Sequence, residues 1–264
     1  MALMIFFLVA FFLRASSSSA CDKAIFLLAG QSNMAGRGGI FHNKWDGYTP
    51  PLCRASPRIL RLNNQTAWEE AREPLHGNIS FAPCPGSNAP AGIGPGMAFA
   101  NTLLKRDPTI GTIGLVPCAV GMTGISDWRR GSCLYARLMS RARAALREGG
   151  ALRGMLWYQG ENDINVSTAG MYEDRLRTFF NDVRNDLSSP SLPIIQVALA
   201  SPNISTNSGT RKIRSIQLHL KLPNLMCVDA KGLAVDDYQK LHLTTDAQVK
   251  LGSKMAHAFV KHFT

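Results

Sequence analysis

The sequence lacks an apolar run long enough to cross a membrane as a helix. Its longest, inside the first fourteen residues, holds about a dozen positions against the ~20 that a spanning helix needs. It also lacks zinc-finger spacing, an aromatic-basic RNA motif and any basic stripe leading into heptads, which removes nucleic acid from the expected partners. No internal repeat, low-complexity tract or interdomain linker follows Ala20, so solenoids and multidomain chains are excluded and one domain is expected from the 264 residues. Metal-like histidine pairs are missing too. His42 and His76 have no partner at ligand spacing, and the five-residue step from His257 to His262 turns the second by roughly 140° from the first. Neither a metal nor a cofactor is expected.

Acidic side chains are scarce, 18 against 29 basic, giving a formal net charge of +11. That excess either solubilises the surface or favours a polyanion such as an acidic polysaccharide. Arg129 and Arg130 could touch such a polymer or lie in a solvated loop.

Among the features present, the first twenty residues join the apolar run to a small-residue stretch ending Ser-Ser-Ala, which reads as a secretory signal cleaved after Ala20. The remaining chain, 21–264, would then be secreted, with no membrane attachment after cleavage. Asn64-Gln-Thr, Asn78-Ile-Ser, Asn165-Val-Ser and Asn203-Ile-Ser are glycosylation triplets of the kind found on exported chains. The six cysteines also suit an oxidising compartment. Cys53 and Cys84, both in Pro-rich loop sequence, are the expected pair; Cys118 and Cys227 read as buried thiols.

Strand-length apolar runs alternate with helix-period segments, the pattern of a parallel sheet covered on both faces. Strands are expected at Ala24–Ala29, Thr112–Pro117, Gly154–Tyr158, Pro193–Leu199 and Leu225–Val228. One helix buries Tyr172, Leu176, Phe179, Phe180, Val183 and Leu187. Another buries Leu134, Leu138, Ala142, Ala145 and Leu146, leaving Arg137, Arg141 and Arg147 largely to solvent. The last starts at Thr244-Thr245-Asp246, a capping sequence, and turns Val249, Ala256 and Val260 inward. Residues 40–95 show no sustained period and read as a loop-rich insertion beside the site.

Functional side chains of such folds collect where the strands end. Ser32, in Leu-Leu-Ala-Gly-Gln-Ser-Asn-Met-Ala-Gly, follows the first strand between Gly30 and Gly36, a placement that suits a nucleophile. A serine needs a base, a group orienting that base, and donors for the oxyanion. His242 before the final helix is the base candidate, and the Gly121 amide and the Gln159 carboxamide are donor candidates at two further strand ends. Trp128, Trp157 and Tyr158 could stack on sugars or pack under loops.

The blocks Gly30-Gln-Ser-Asn-Met-Ala-Gly36, Gly94-Pro-Gly-Met-Ala-Phe-Ala100, Trp157-Tyr-Gln-Gly-Glu-Asn-Asp163 and Leu241-His-Leu-Thr-Thr245 resemble the plant-type carbohydrate esterases of family six. That group lies within the SGNH hydrolase superfamily and is similar to sialate O-acetylesterases. The resemblance implies a three-layer α/β/α sandwich with a central parallel sheet, flavodoxin-like. It implies metal-independent removal of acetyl groups from sugar hydroxyls, with an acetylated, xylan-like cell-wall polysaccharide as substrate. Ser32 would be the nucleophile and His242 the base; the Ser32 and Gly121 backbone amides and the Gln159 side chain would form the oxyanion hole.

Two positions depart from the family pattern. The family places an Asp three residues before the histidine, where this chain has Gln239, leaving Asp237, Asp236 or Glu161 to orient His242, with Asp237 ranked first. Met122 stands where the family usually has a glycine. These departures motivate a second expectation, a catalytically weakened relative that binds glycans without turning them over.

Overall fold

The computed structural model describes residues 23–87, 89–165, 169–200, 207–236 and 240–264. The expected signal with its cleavage point, Cys21, the Asn203 triplet, Asp237 and Gln239 lie outside the described residues.

In chain order the elements begin with β1 (Lys23–Gly30), α1 (Ser32–Ala35), the hairpin β2 (Ile40–Phe41) and β3 (Lys44–Trp45), β4 (Ile59–Leu62) and β5 (Trp68–Glu70). There follow α2 (Gly96–Arg106), β6 (Thr112–Pro117), α3 (Cys133–Leu146), β7 (Ala151–Tyr158) and α4 (Tyr172–Asp186). β8 (Ile194–Ala198), α5 (Ser208–His219), β9 (Leu225–Asp229) and α6 (Thr245–Phe263) complete the fold.

Seven strands form one sheet in the order β5-β4-β6-β1-β7-β8-β9. All neighbours run parallel except the β4–β5 edge pair. β1 is almost wholly apolar because a parallel strand covered by helices meets hydrophobic groups on both faces, and Ile25 to Ala29 have no exposed surface. On one face Phe26 meets Phe99 of α2 and Phe259 of α6 edge-on, at ring-centroid distances of 5.0 and 5.1 Å. Helices α2 and α6 approach closely there, and a side chain at Gly252 would collide with the Pro95 carbonyl. On the other face Trp157 packs 4.6 Å from Phe179 of α4.

The winding reverses at β1. The chain builds one half of the sheet through β6, then crosses to β7 on the other side of β1. Loops leaving β1, β6 and β7 at their C-terminal ends therefore diverge around a crevice at this switch point.

The five strands expected from the sequence are all present, displaced by at most a few residues at their ends. Four other expectations change. Residues 40–95 supply β4, which pairs with β6, and β5 beyond it, so this segment extends the main sheet as well as carrying loops. The disulfide joins Cys84 to Cys133, not to Cys53. Cys53 is a buried free thiol whose pKa is pushed up to about 12, chiefly by burial. Arg141 is buried rather than solvated, at 2% exposure. Its guanidinium donates to the carbonyls of Pro117, Asn63 and Leu62 at 2.8, 3.0 and 2.6 Å, tying the end of β6 to the end of β4. Finally, the buried stripe of α6 is wider than expected: Ala247, Leu251, Met255 and Phe259 are buried with Ala256, and Val249 and Val260 pack half-buried against the same core.

One buried carboxyl gives a stability prediction. Glu73 accepts the Leu75 amide through Oε2 at 2.9 Å, and its Oε1 has no described partner. Burial lifts its pKa to about 8, against the opposing pull of the Leu75 amide and Arg61. A carboxyl raised in the folded state stabilises fully below its unfolded value near 4.5, and that contribution is lost as pH rises through 8. Glu73→Gln should therefore melt above the native chain at pH 9, by roughly 5 °C, and no higher at pH 4. Thermal unfolding at the two pH values measures this.

Candidate active site

Ser32 opens α1 directly after β1, and the turn that aims it is set by Gly30. That glycine has φ +128, and a Cβ there would strike the backbone of Tyr158 in β7. Gln31 completes the turn by donating its amide to the Tyr158 carbonyl at 2.8 Å. As the first residue of a helical turn, Ser32 has an amide without an intrahelical acceptor.

His242 reaches Ser32 from the far end of the chain: its Nε2 lies 3.0 Å from Ser32 Oγ across a sequence separation of 210 residues. The loop carrying it is closed on itself. The Asp236 amide donates to the His242 carbonyl at 2.7 Å, and the His242 amide donates to Asp236 Oδ2 at 3.0 Å. Lys240 adds a bond to the Asp236 carbonyl at 3.1 Å. Burial depresses the imidazole pKa to about 4, with Arg37 lowering it further and Asp236 opposing. His242 is therefore neutral at pH 7 and able to accept a proton.

Gly121 follows β6 on the other side of the crevice. A Cβ built there would sit 3.6 Å from Ser32 Cβ, so its backbone stands beside that serine. Among the described turn and loop bonds, neither the Ser32 nor the Gly121 amide donates to a carbonyl. Met122 next to it takes the left-handed conformation, φ +61, with its side chain 70% exposed.

Gln159 is fully buried, and its carboxamide works inside the wall. Nε2 contacts Asp163 Oδ2 at 2.6 Å, the Thr123 carbonyl at 3.0 Å and Gln31 Oε1 at 3.2 Å. Oε1 accepts from the Tyr172 hydroxyl at 3.2 Å. No described bond runs from Gln159 to Ser32 or His242. It ties the residue before Ser32 to the loop that holds Gly121, fixing their separation.

Of the three candidates for orienting His242, Asp237 lies outside the described residues. Asp236 holds the histidine's main chain as described. Glu161 meets Asn33 instead: its Oε1 accepts Asn33 Nδ2 at 2.8 Å, its Oε2 has no described partner, and burial raises its pKa to about 7.

Asn33 is the residue that the strand-and-motif reading left without a role. Its Nδ2 also donates to the Leu241 carbonyl at 3.3 Å, and its Oδ1 accepts the Leu243 amide at 2.9 Å. Its own carbonyl takes a hydrogen from Gln248 of α6 at 3.0 Å. The side chain next to Ser32 thus grips the main chain on both sides of His242. The only sequence signal was its position directly after Ser32.

Trp128, Trp157 and Tyr158 are buried under the loops rather than presented to a ligand. Arg130 is paired with Asp182 and Asp186 at 3.1 and 2.9 Å.

A serine hydroxyl thus stands 3.0 Å from the ring nitrogen of a buried imidazole at the switch point of a mostly parallel, helix-covered sheet, the arrangement that hydrolytic chemistry on an ester needs. The sequence model of the family described as carbohydrate esterase, sialic acid-specific acetylesterase, matches residues 22–261. The chain belongs to that family and is accordingly a carbohydrate esterase, a carboxylic ester hydrolase. It is 47% identical over 247 residues to a "probable carbohydrate esterase" of Arabidopsis thaliana, covering 90% of this chain and 91% of that one. A crystal structure of an Arabidopsis thaliana protein superposes with a TM-score of 0.84 at 45% identity, covering 92% of this chain and all of the other. The fold is shared with NanS, at a TM-score of 0.72 and 18% identity over 90% of this chain and 97% of that one.

Proposed function

We propose that this chain is a secreted serine esterase that removes O-acetyl groups from a xylan-like cell-wall polysaccharide through an acetyl-enzyme. The 3.0 Å approach of His242 Nε2 to Ser32 Oγ carries the reading. His242 takes the hydroxyl proton as Oγ attacks the acetyl carbonyl, and the negative oxygen settles on the Ser32 and Gly121 amides. The C–O bond to the sugar then breaks, with the sugar oxygen leaving as an alcohol on the proton returned by His242. Water next gives a proton to His242 and attacks the acetyl-enzyme, releasing acetate and restoring Ser32.

Gln159 supports this by holding the two donor loops together, and Asp237, Asp236 or Glu161 supplies the negative charge that favours the imidazolium. The Cys84–Cys133 bridge supports export, because disulfides persist in oxidising compartments. Among the described residues no helix is long and apolar enough to cross a membrane.

An alkyl fluorophosphonate and an aryl acetate test the reading. Labelling of Ser32 and steady hydrolysis are expected, with kcat/KM level above pH 6 and falling tenfold per unit below about pH 4, where His242 becomes protonated. Folded protein that neither hydrolyses the ester nor takes the label would instead be the glycan-binding relative.

A further inference from the structure

A cavity of about 690 Å³ opens between the segment 74–91 and the loop after β6. It adjoins the nucleophile. Its walls include Val120, Ser87 and Ala35; the first precedes Gly121, the second donates its amide to the Gly121 carbonyl at 2.9 Å, and the third ends the short helix that Ser32 begins. A Cβ at Gly121 would be 3.6 Å from the Cβ atoms of both Ser32 and Ser87.

An acetyl group would fill only a small part of this space, which lies within the roughly 300–1,000 Å³ usual for ligand sites. The lining suits a sugar ring. Asn78, Ser80 and Ser87 supply neutral hydrogen-bonding groups, and Ile79, Phe81 and Ala91 supply apolar surface. His76, 8% exposed, also lines it. Its Nε2 accepts the Ala119 amide at 3.2 Å, which assigns the proton to Nδ1.

Among the described residues no Asp, Glu, Lys or Arg lines the cavity. Burial, with Arg141 adding to it, depresses His76 to a pKa of about 3, against a weaker opposing bond to the Leu28 carbonyl. The imidazole is therefore uncharged at neutral pH. An acidic sugar placed here would lose the hydration of its carboxylate with no cationic side chain among the described lining residues to replace it, since Arg37 and Arg137 behind the wall are engaged by the Pro90 and Ser80 carbonyls.

We propose that this cavity is a subsite for uncharged pyranose rings of the chain bearing the ester, and that it discriminates against uronic and sialic acids despite the overall charge of +11. The wall is held for this task. Cys84 is tied to Cys133 of α3, and Arg137 and Arg37 donate to the Ser80 and Pro90 carbonyls, both at 2.8 Å.

This proposal deepens the esterase reading and rests on it for the meaning of the neighbouring serine, but its test needs no turnover. Ser32→Ala protein, produced without N-glycans because Asn78 opens an acceptor triplet, is titrated calorimetrically with xylotetraose, a tetragalacturonate and free sialic acid. Xylotetraose should bind at least tenfold more tightly than either acid, with little salt dependence. Ala91→Trp, which fills the space, and Asn78→Gly, which removes a polar wall group at a position with φ +60, should each weaken it at least fivefold. Preference for an acid, no binding of xylotetraose, or affinities unmoved by both folded variants would overturn the subsite. Binding without fluorophosphonate labelling of the native protein would leave it standing and remove the esterase.

Discussion

Ser32→Ala and His242→Ala should each lower kcat for an aryl acetate by on the order of ten-thousandfold to a millionfold, and the double variant should lose no more than the worse of the two. The non-additivity is the informative part. Oγ and Nε2 are 3.0 Å apart and in the proposed mechanism act on one proton, so an imidazole without the alcohol would have nothing to deprotonate and an alcohol without the imidazole would stay a poor nucleophile. Independent contributions would multiply instead. The residual rate reports the Ser32 and Gly121 amides together with substrate binding, which both single variants keep. Ser32→Ala should also melt within about 2 °C of the native protein, because it removes one half-buried hydroxyl and leaves the core untouched. Stopped-flow kinetics on the three variants, with melting curves as the folding control, measures both statements.

The strands were legible because a parallel sheet covered on both sides demands nearly unbroken apolar runs, and β1 and β7 meet that demand over most of their length. β4 and β5 were not. Ile59–Leu62 and Trp68–Glu70 are short and of mixed polarity, since they form an edge pair beyond β6, and their neighbours are rich in turn residues. Arg141 shows a second kind of loss. Helical periodicity assigns its face, but only the assembled sheet brings three carbonyls at and beside strand ends within reach of one guanidinium. The bridge partner of Cys84 was hidden for the same reason, because Cys133 begins a helix distant in sequence that the loop happens to cross. The convergence of Ser32, His242 and Gly121 was legible because each lies after a strand end or just before a helix, where the loops meet at the crevice. Gln159 was found as a residue and misjudged in geometry: at full burial an amide is spent on the nearest unpaired carbonyls.

Asn33→Ala should cost about a hundredfold to a thousandfold in kcat, with a smaller change in the KM of an aryl acetate, although Asn33 bears none of the chemistry. The side chain bonds the Leu241 carbonyl, the Leu243 amide and Glu161, and two of those groups flank His242 directly. Removing it frees the histidine loop, and an imidazole displaced by about 1 Å loses much of its rate advantage. It also strands polar groups in a buried setting, for which a loss of about 2–4 kcal/mol in stability is expected. Asn33→Asp separates loss of grip from loss of fold, because a carboxylate can still accept the Leu243 amide but cannot donate to Glu161 or Leu241. It would place a second acid against a carboxyl whose pKa is already about 7. With Glu161 protonated, one proton can be shared between the acids; once it ionises, two negative charges repel across a distance of about 3 Å. Activity of Asn33→Asp, expressed relative to the native chain, should therefore be highest near pH 5 and fall through pH 7, while that of Asn33→Ala stays flat. A ratio for Asn33→Asp that is equally flat would mean that Glu161 does not press on this side chain, and the coupling of nucleophile turn, buried acid and histidine loop through Asn33 would have to be abandoned.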